Sequence, residues 1–187
     1  MEVILASQSP RRKELMGLFG IPFTVRVADI NEFMDPDKPP FQEVARVSRQ
    51  KAEAVTRNPD DIVIAADTVV VCDGRVLGKP RDEADAIGML SQLSGRAHQV
   101  MTGITVLRGS TCLTHTEVTD VYFRQLAPEE IQRYVRTGDP MDKAGSYGIQ
   151  SGGALFVQRL EGDYFNVVGL PVCRLHMLLK QIMEETL

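Results

Sequence analysis

The sequence predicts an α/β (mixed α+β) protein with a mixed β-sheet flanked by helices. Three observations predict it. The run IVIAADTVVV at Ile62–Val71 is almost continuously apolar and β-branched, the pattern of a strand covered on both faces. Two hairpin signals, Asp73-Gly74 and Arg108-Gly109-Ser110, join strands that must be antiparallel. Strand–helix units with helix-start residues, such as Ser9-Pro10, occur in the same chain as those hairpins. A chain of 187 residues can bury its core as one domain spanning 1–187, and no repeat or linker divides it.

Taken in order, Val3–Ala6 is a short buried strand. Ser9 caps the helix that follows, Pro10 takes its first position, Leu15, Leu18 and Phe19 form its apolar stripe, and Gly20 stops it. Phe23–Val27 is a second strand, and a polar, proline-containing loop, Asp29–Pro40, carries Glu32. Phe41, Val44, Ala45, Ala52 and Val55 recur at helical spacing over Phe41–Arg57, which includes Lys51. Beyond the central run, a return strand leads to Gly78-Lys79-Pro80, and Asp82–Leu93 is helical, closed by Ser94-Gly95. Ala97–Leu107 and Leu113–Phe123 alternate as long strands, and Pro128, Glu129 and Glu130 open a helix to about Arg136. Gly138–Gly153 is a glycine-rich loop too long for a simple connector. Ala154–Gln158 reads as a strand, Glu161-Gly162-Asp163 as a turn, and Pro171 begins a terminal helix with Leu175, Leu178, Leu179 and Ile182 on one face.

Bulk properties narrow the function. A net charge of −4 argues against general nucleic-acid or anionic-membrane binding, which needs a basic face. Cys72, Cys112 and Cys173 form no CxxC pair and read as reduced thiols, while His98, His115 and His176 lack zinc-site spacing. The amino terminus has no signal-peptide pattern and no apolar stretch is long enough to cross a bilayer, so the expected location is cytoplasmic.

Two local conflicts point to a site. Asp67 lies inside the apolar run, where a carboxylate is costly without a cation, metal or hydrogen-bond donors. The run alone allows the strand to end near Ala66, with Asp67 solvated or capping; cations at other junctions favour a buried, partnered acid. Arg11 and Arg12 lie in the first turn of a helix, where the macrodipole disfavours cations. They are either solvated or arranged, with Ser7, around a bound anion.

LASQSPRRKEL at Leu5–Leu15, AADTVV at Ala65–Val70 with LGKP at Leu77–Pro80, and DKAGSYGIQ at Asp142–Gln150 together resemble the Maf family. LSGRAHQVMTG at Leu93–Gly103 and GDYFNVVGLP at Gly162–Pro171 agree, so the resemblance spans essentially the whole chain. It implies a Maf/ITPase-like fold, with a mixed sheet and a cleft between two lobes, and commonly a homodimer. The activity implied is cleavage of nucleoside triphosphates to monophosphate and pyrophosphate with a divalent metal, a housecleaning role with a link to cell-division arrest. The ADT and DKAGxYGIQ patterns resemble the branch acting on dTTP and UTP, whereas a 7-methyl-GTP branch has SDQ in place of ADT. Ser146 and Ser151 depart from the alanine and glycine frequent at those places. A modified-purine pyrophosphatase and a non-catalytic nucleotide sensor are the alternative readings.

The chemistry assigns roles. A nucleoside triphosphate carries about four negative charges, so catalysis needs clustered cations, a metal and an oriented water. Arg11, Arg12, Lys51 and Lys79 are expected on phosphate oxygens, with the Ser7 hydroxyl beside them. Asp67 and Glu32 are expected to hold Mg²⁺ or Mn²⁺. The resemblance places the proton acceptor at Asp67, leaving Glu32 as metal ligand. Gln150 offers an amide donor and a carbonyl acceptor to a uracil or thymine edge, with Thr68 and the loop backbone expected to lock its orientation. The resemblance also counts Arg11 among the specificity positions.

Overall fold

The computed structural model describes residues 1–27, 29–55 and 57–184. Seven strands form one mixed sheet: β1 (Val3–Leu5), β2 (Thr24–Val25), β3 (Ile62–Cys72), β4 (Arg75–Leu77), β5 (Ala97–Arg108), β6 (Thr111–Phe123) and β7 (Val157–Glu161). The order is β2-β1-β3-β5-β6-β7, with β4 also paired to β3. β2 and β3 run parallel to β1, and the other pairings are antiparallel. The helices are α1 (Pro10–Gly17), α2 (Pro40–Glu53), α3 (Glu83–Leu93), α4 (Pro128–Val135), α5 (Tyr164–Val168) and α6 (Val172–Glu184).

β3 is the centre, and its two edges differ. One edge pairs with β5 along Ile62–Val71. On the other edge, β1 covers Ile62–Ile64 and β4 covers Val70–Cys72. The Ile64 carbonyl also accepts the Ala6 amide at 2.8 Å. Between the two short partners, Ala65–Val69 faces a gap in the sheet. Strand alternation then sends odd and even residues to opposite faces.

α2 covers the odd face. Ala52 and Val55 pack on Val63 and Ala65, and Val44 packs on Val69, Val71 and Met101. The even face carries two cores. Leu15, Met16, Leu175, Leu179 and Ile182 cover Ile62, Ile64 and Ala66; Ala86, Leu90, Ile131 and Tyr134 cover Val70, Cys72 and Val100. The boundary between these lobes falls at Thr68, beside the gap.

Local differences from expectation have physical causes. β3 does not end at Ala66; it continues to Cys72 because β5 pairs with it throughout. Ser9 Oγ accepts the Arg12 amide at 3.5 Å, as a cap should, but α1 ends at Gly17. Leu18 thus leaves the helical phase and is 66% exposed, while Met16 is buried instead. Only Thr24–Val25 of the second expected strand pairs, since β1 offers it just two partners. α2 stops at Glu53, and Thr56, within the helix expected to reach Arg57, lies outside the described residues. Ala154 belongs to a 3-10 turn, Gly152–Phe156, that drives Phe156 into the core before β7 begins. The short α5 has no counterpart in the sequence reading, because five residues show no helical period.

Gly103 pairs with Asp67 across the ladder and lies beneath α2. A Cβ there would strike the Val44 carbonyl oxygen and come within 2.6 Å of its carbon and 2.8 Å of the Ala45 nitrogen. The absent side chain lets the helix lie close to the sheet. Gly103→Ala is expected to destabilise the fold by about 1–3 kcal/mol through overpacking, measured as a lower urea midpoint with an unchanged m-value.

Candidate active site

The gap in β3 opens into a cleft of about 1340 Å³, lined by Ser7, Arg11, Arg12, Glu32, Lys51, Asp67, Thr68, Lys79 and Gln150 among others. All nine residues singled out from the sequence therefore share one cavity. They reach it from the β1–α1 turn, the loop before α2, the last turn of α2, β3, the segment after β4 and the glycine-rich loop. Among the described residues, no helix is long and apolar enough to cross a membrane.

Asp67 is 8% exposed and on the odd face, under α2. Lys51 Nζ donates to its Oδ1 at 2.7 Å and lies 2.9 Å from Glu32 Oε2. One ammonium thus joins the two carboxylates, compensating the buried acid. The expectation put Lys51 on phosphate; here it organises the acids. The Glu32 side chain remains 59% exposed. Two carboxylates beside a cleft open to phosphates are the donor set Mg²⁺ commonly uses, with substrate oxygens and water completing the shell. Among the described residues, no group of three or more His, Cys, Asp or Glu side chains could form an all-protein cage.

Arg12 departs furthest from its expected role. Its Nη1 donates to the Ala66 carbonyl at 2.8 Å and to Ser7 Oγ at 3.3 Å. Its Nε donates to the Gly169 carbonyl at 2.8 Å and Nη2 to Thr68 Oγ1 at 3.0 Å. Four of its five N–H donors are thereby committed to protein, leaving one on Nη2. The guanidinium fills the gap in the sheet, capping a carbonyl of β3 that no strand reaches. Burial lowers its pKa, with Asp67 opposing that shift, but a guanidinium stays charged.

Thr68 is likewise occupied. Its hydroxyl contacts Arg12 and lies 2.9 Å from Thr102 Oγ1, so it braces Arg12 and does not lock Gln150. Thr102 donates to the Asn166 carbonyl at 3.0 Å, and Asn166 Nδ2 reaches the Val100 carbonyl and Thr119 Oγ1, each at 2.9 Å. This buried polar chain anchors α5, and through it the Gly169 carbonyl, against β5 and β6. Sequence reading assigned no role to Thr102 or Asn166, whose partners are long-range.

Ser7 lines the cleft, and its Oγ accepts the Ser9 amide at 3.2 Å beside the Arg12 contact. Arg11 lies 3.9 Å from Asp142, a loose contact across to the glycine-rich loop. Lys79 and Gln150 are exposed on the rim. The loop is ordered by Asp139, which accepts the Tyr134 and Ser151 hydroxyls at 2.5 Å each and Lys143 Nζ at 3.1 Å. Lys143 also binds Asp142 at 2.7 Å. Ser151, one of the two departures from the resembling pattern, is thus a tie within the loop.

A mixed sheet with a charged cleft at an uncovered edge of its central strand defines an α/β protein shaped to receive a phosphorylated ligand. The fold matches a HAM1 protein from Coxiella burnetii, with a TM-score of 0.54 at 16% identity, covering 97% of this chain and 99% of that one. The chain belongs to the Maf family: the model for Maf-like proteins matches residues 2–182. It is 49% identical over 178 residues to a dTTP/UTP pyrophosphatase of Syntrophomonas wolfei subsp. wolfei, covering 94% of each chain. It is 51% identical over 181 residues to a dTTP/UTP pyrophosphatase of Symbiobacterium thermophilum, covering 96% of this chain and 93% of that protein.

Behind the cleft-lining Tyr147 lies a pH-sensitive core contact. His98 Nε2 lies 2.8 Å from the Tyr147 hydroxyl, and its Nδ1 is buried without a partner. Burial lowers the His98 pKa from 6.5 to about 4. The unfolded chain therefore binds a proton that the folded one refuses between those values. Stability is full above about pH 6.5 and falls towards pH 4, by about 3 kcal/mol from this residue. Denaturant titrations across that window are expected to show a pH slope that His98→Gln reduces.

Proposed function

We propose that this protein hydrolyses nucleoside triphosphates, dTTP and UTP foremost, to the monophosphate and pyrophosphate. The observation that carries the proposal is Asp67: a carboxylate buried in the central strand, held by Lys51, at the wall of a cleft that also receives Arg11, Ser7 and Lys79. The relatives named dTTP/UTP pyrophosphatase support the pyrimidine preference.

In this reading the triphosphate enters at the sheet gap. The first turn of α1 offers the Arg11 amide and guanidinium, Ser7 adds a hydroxyl, and Lys79 closes from the opposite rim. Arg12 contributes its remaining N–H and chiefly keeps the gap open at fixed width. Lys51 holds Asp67 Oδ1, which leaves Oδ2 to accept a proton from the attacking water. Asp67 and Glu32 would hold Mg²⁺ or Mn²⁺, which supplies charge neutralisation at the phosphates when bound. Gln150 presents donor and acceptor to the base edge from the glycine-rich loop. The same reading carries one domain over the whole chain, a homodimer and a cytoplasmic location. The unpaired thiols of Cys72, Cys112 and Cys173 suit a reducing compartment.

Asp67→Asn is expected to lower kcat on UTP by about 10²–10⁴-fold, while UTP still binds by calorimetry. Pyrophosphate should be the product of the unmodified chain. Near-normal turnover in the variant would remove Asp67 from the reaction, and orthophosphate as sole product would place the cut at another bond.

A further inference from the structure

We infer that Glu43 and Arg46, an ion pair on α2, are positioning residues that set the loop presenting Glu32 to Lys51. The inference rests on the reading of Glu32 given above. Glu32 lies between Val25 and Pro40, where none of the described residues belongs to a helix or strand. A half-exposed carboxylate on such a segment samples many positions unless the backbone beside it is held.

One turn of α2 holds it. Arg46 Nη2 donates at 2.6 Å to the carbonyl of Phe33, the residue directly after Glu32. Glu43 Oε2 accepts the Asp35 amide at 2.8 Å. The two side chains bind each other, Nε to Oε1 at 3.0 Å and Nη2 to Oε2 at 2.7 Å, and Arg46 Nη1 donates to Gln50 Oε1 at 2.7 Å. Between the clasped residues, Met34 packs against Val44, Val69, Val71 and Met101. Lys51 projects from the last turn of the same helix. One rigid element therefore carries both the ammonium and the clasp that brings Glu32 to it.

Fold stability alone does not account for this pair. Glu43 is 2% exposed, and Arg46 with the Asp35 amide holds its pKa down to about 2. Burying Glu43 costs desolvation that its partly exposed partner Arg46 must offset, and an apolar side chain of similar volume in its place often serves stability as well or better. Apolar side chains would not, however, bind the Phe33 carbonyl and the Asp35 amide in fixed register. The pair supplies directional bonds on both sides of Met34, immediately downstream of Glu32.

The test uses the full chain carrying Arg46→Met, Arg46→Lys, Glu43→Gln, Glu32→Gln, and Arg46→Met combined with Glu32→Gln. Amide hydrogen exchange and UTP hydrolysis are measured on each. Arg46→Met is expected to speed exchange within residues 31–35 while β3 and β5 keep theirs. It should lower kcat/KM by about 10–100-fold, with partial recovery in Arg46→Lys. The double variant should be no slower than Glu32→Gln alone, because both changes remove one contribution. Losses that multiply in the double variant, or exchange that stays unchanged, would overturn the inference. Glu43→Gln carries the same exchange comparison if Arg46→Met fails to fold. Wild-type rates in Glu32→Gln would instead overturn the role of Glu32 and the catalytic half of the inference, with exchange still deciding whether the pair holds the loop.

Discussion

Backbone polar groups inside a protein need partners, and the central strand here leaves a stretch of its edge without a neighbouring strand. β1 stops covering β3 at Ile64 and β4 begins at Val70, and in the span between them Asp67, Thr68 and Val69 border a cavity. Arg12 answers this constraint by spanning the opening from α1, binding the Ala66 carbonyl and reaching the turn after α5. Its remaining contacts, to Ser7 and Thr68, tie the β1–α1 turn to β3. Once that break is held at fixed width, the alternation of β3 places Asp67 on one side of it and Thr68 on the other.

α2 supplies the complementary half. It lies close to the sheet because Gly103 leaves no side chain beneath Val44 and Ala45. From that platform Lys51 reaches Asp67, and Glu43 with Arg46 grips the loop that brings Glu32 to the same ammonium. The acids are thus compensated by a lysine that is itself mostly buried, and the costly carboxylate within an apolar strand becomes tolerable. Cations and acids from separate segments converge because two lobes of the core meet at Thr68.

Much of this could be read from residue order. The β-branched run around Asp67, the Ser9-Pro10 helix start and the Asp73-Gly74 turn each have a local physical signature, and each is where it was expected. Asp67, Arg11 and Arg12, with Ser7 beside them, could be chosen because charge placed against local preference, in an apolar strand or at a helix N-terminus, needs a partner elsewhere. Glu32, Lys51, Thr68, Lys79 and Gln150 rested on the resemblance to the Maf family. The partners themselves were less legible. Arg12 looks like a phosphate ligand in sequence, but its donors are spent on Ala66, Gly169, Ser7 and Thr68 across separations that no local pattern encodes. Asn166 and the Glu43–Arg46 pair went unassigned for the same reason, since a polar residue on a helix is usually solvated. Glu43 and Arg46, at i and i+3, look like an ordinary surface pair until the Phe33 carbonyl and Asp35 amide arrive from the loop.

The most direct measurement is a crystal structure of the full chain with a UTP analogue bearing a non-hydrolysable α,β bridge. The account predicts a triphosphate lodged at the uncovered edge of β3, touching the first turn of α1, Ser7 and Lys79 together, with the bridged phosphates beside Asp67. A triphosphate bound elsewhere, or held so that Asp67 lies beyond reach of the bridge through even one water, would contradict it.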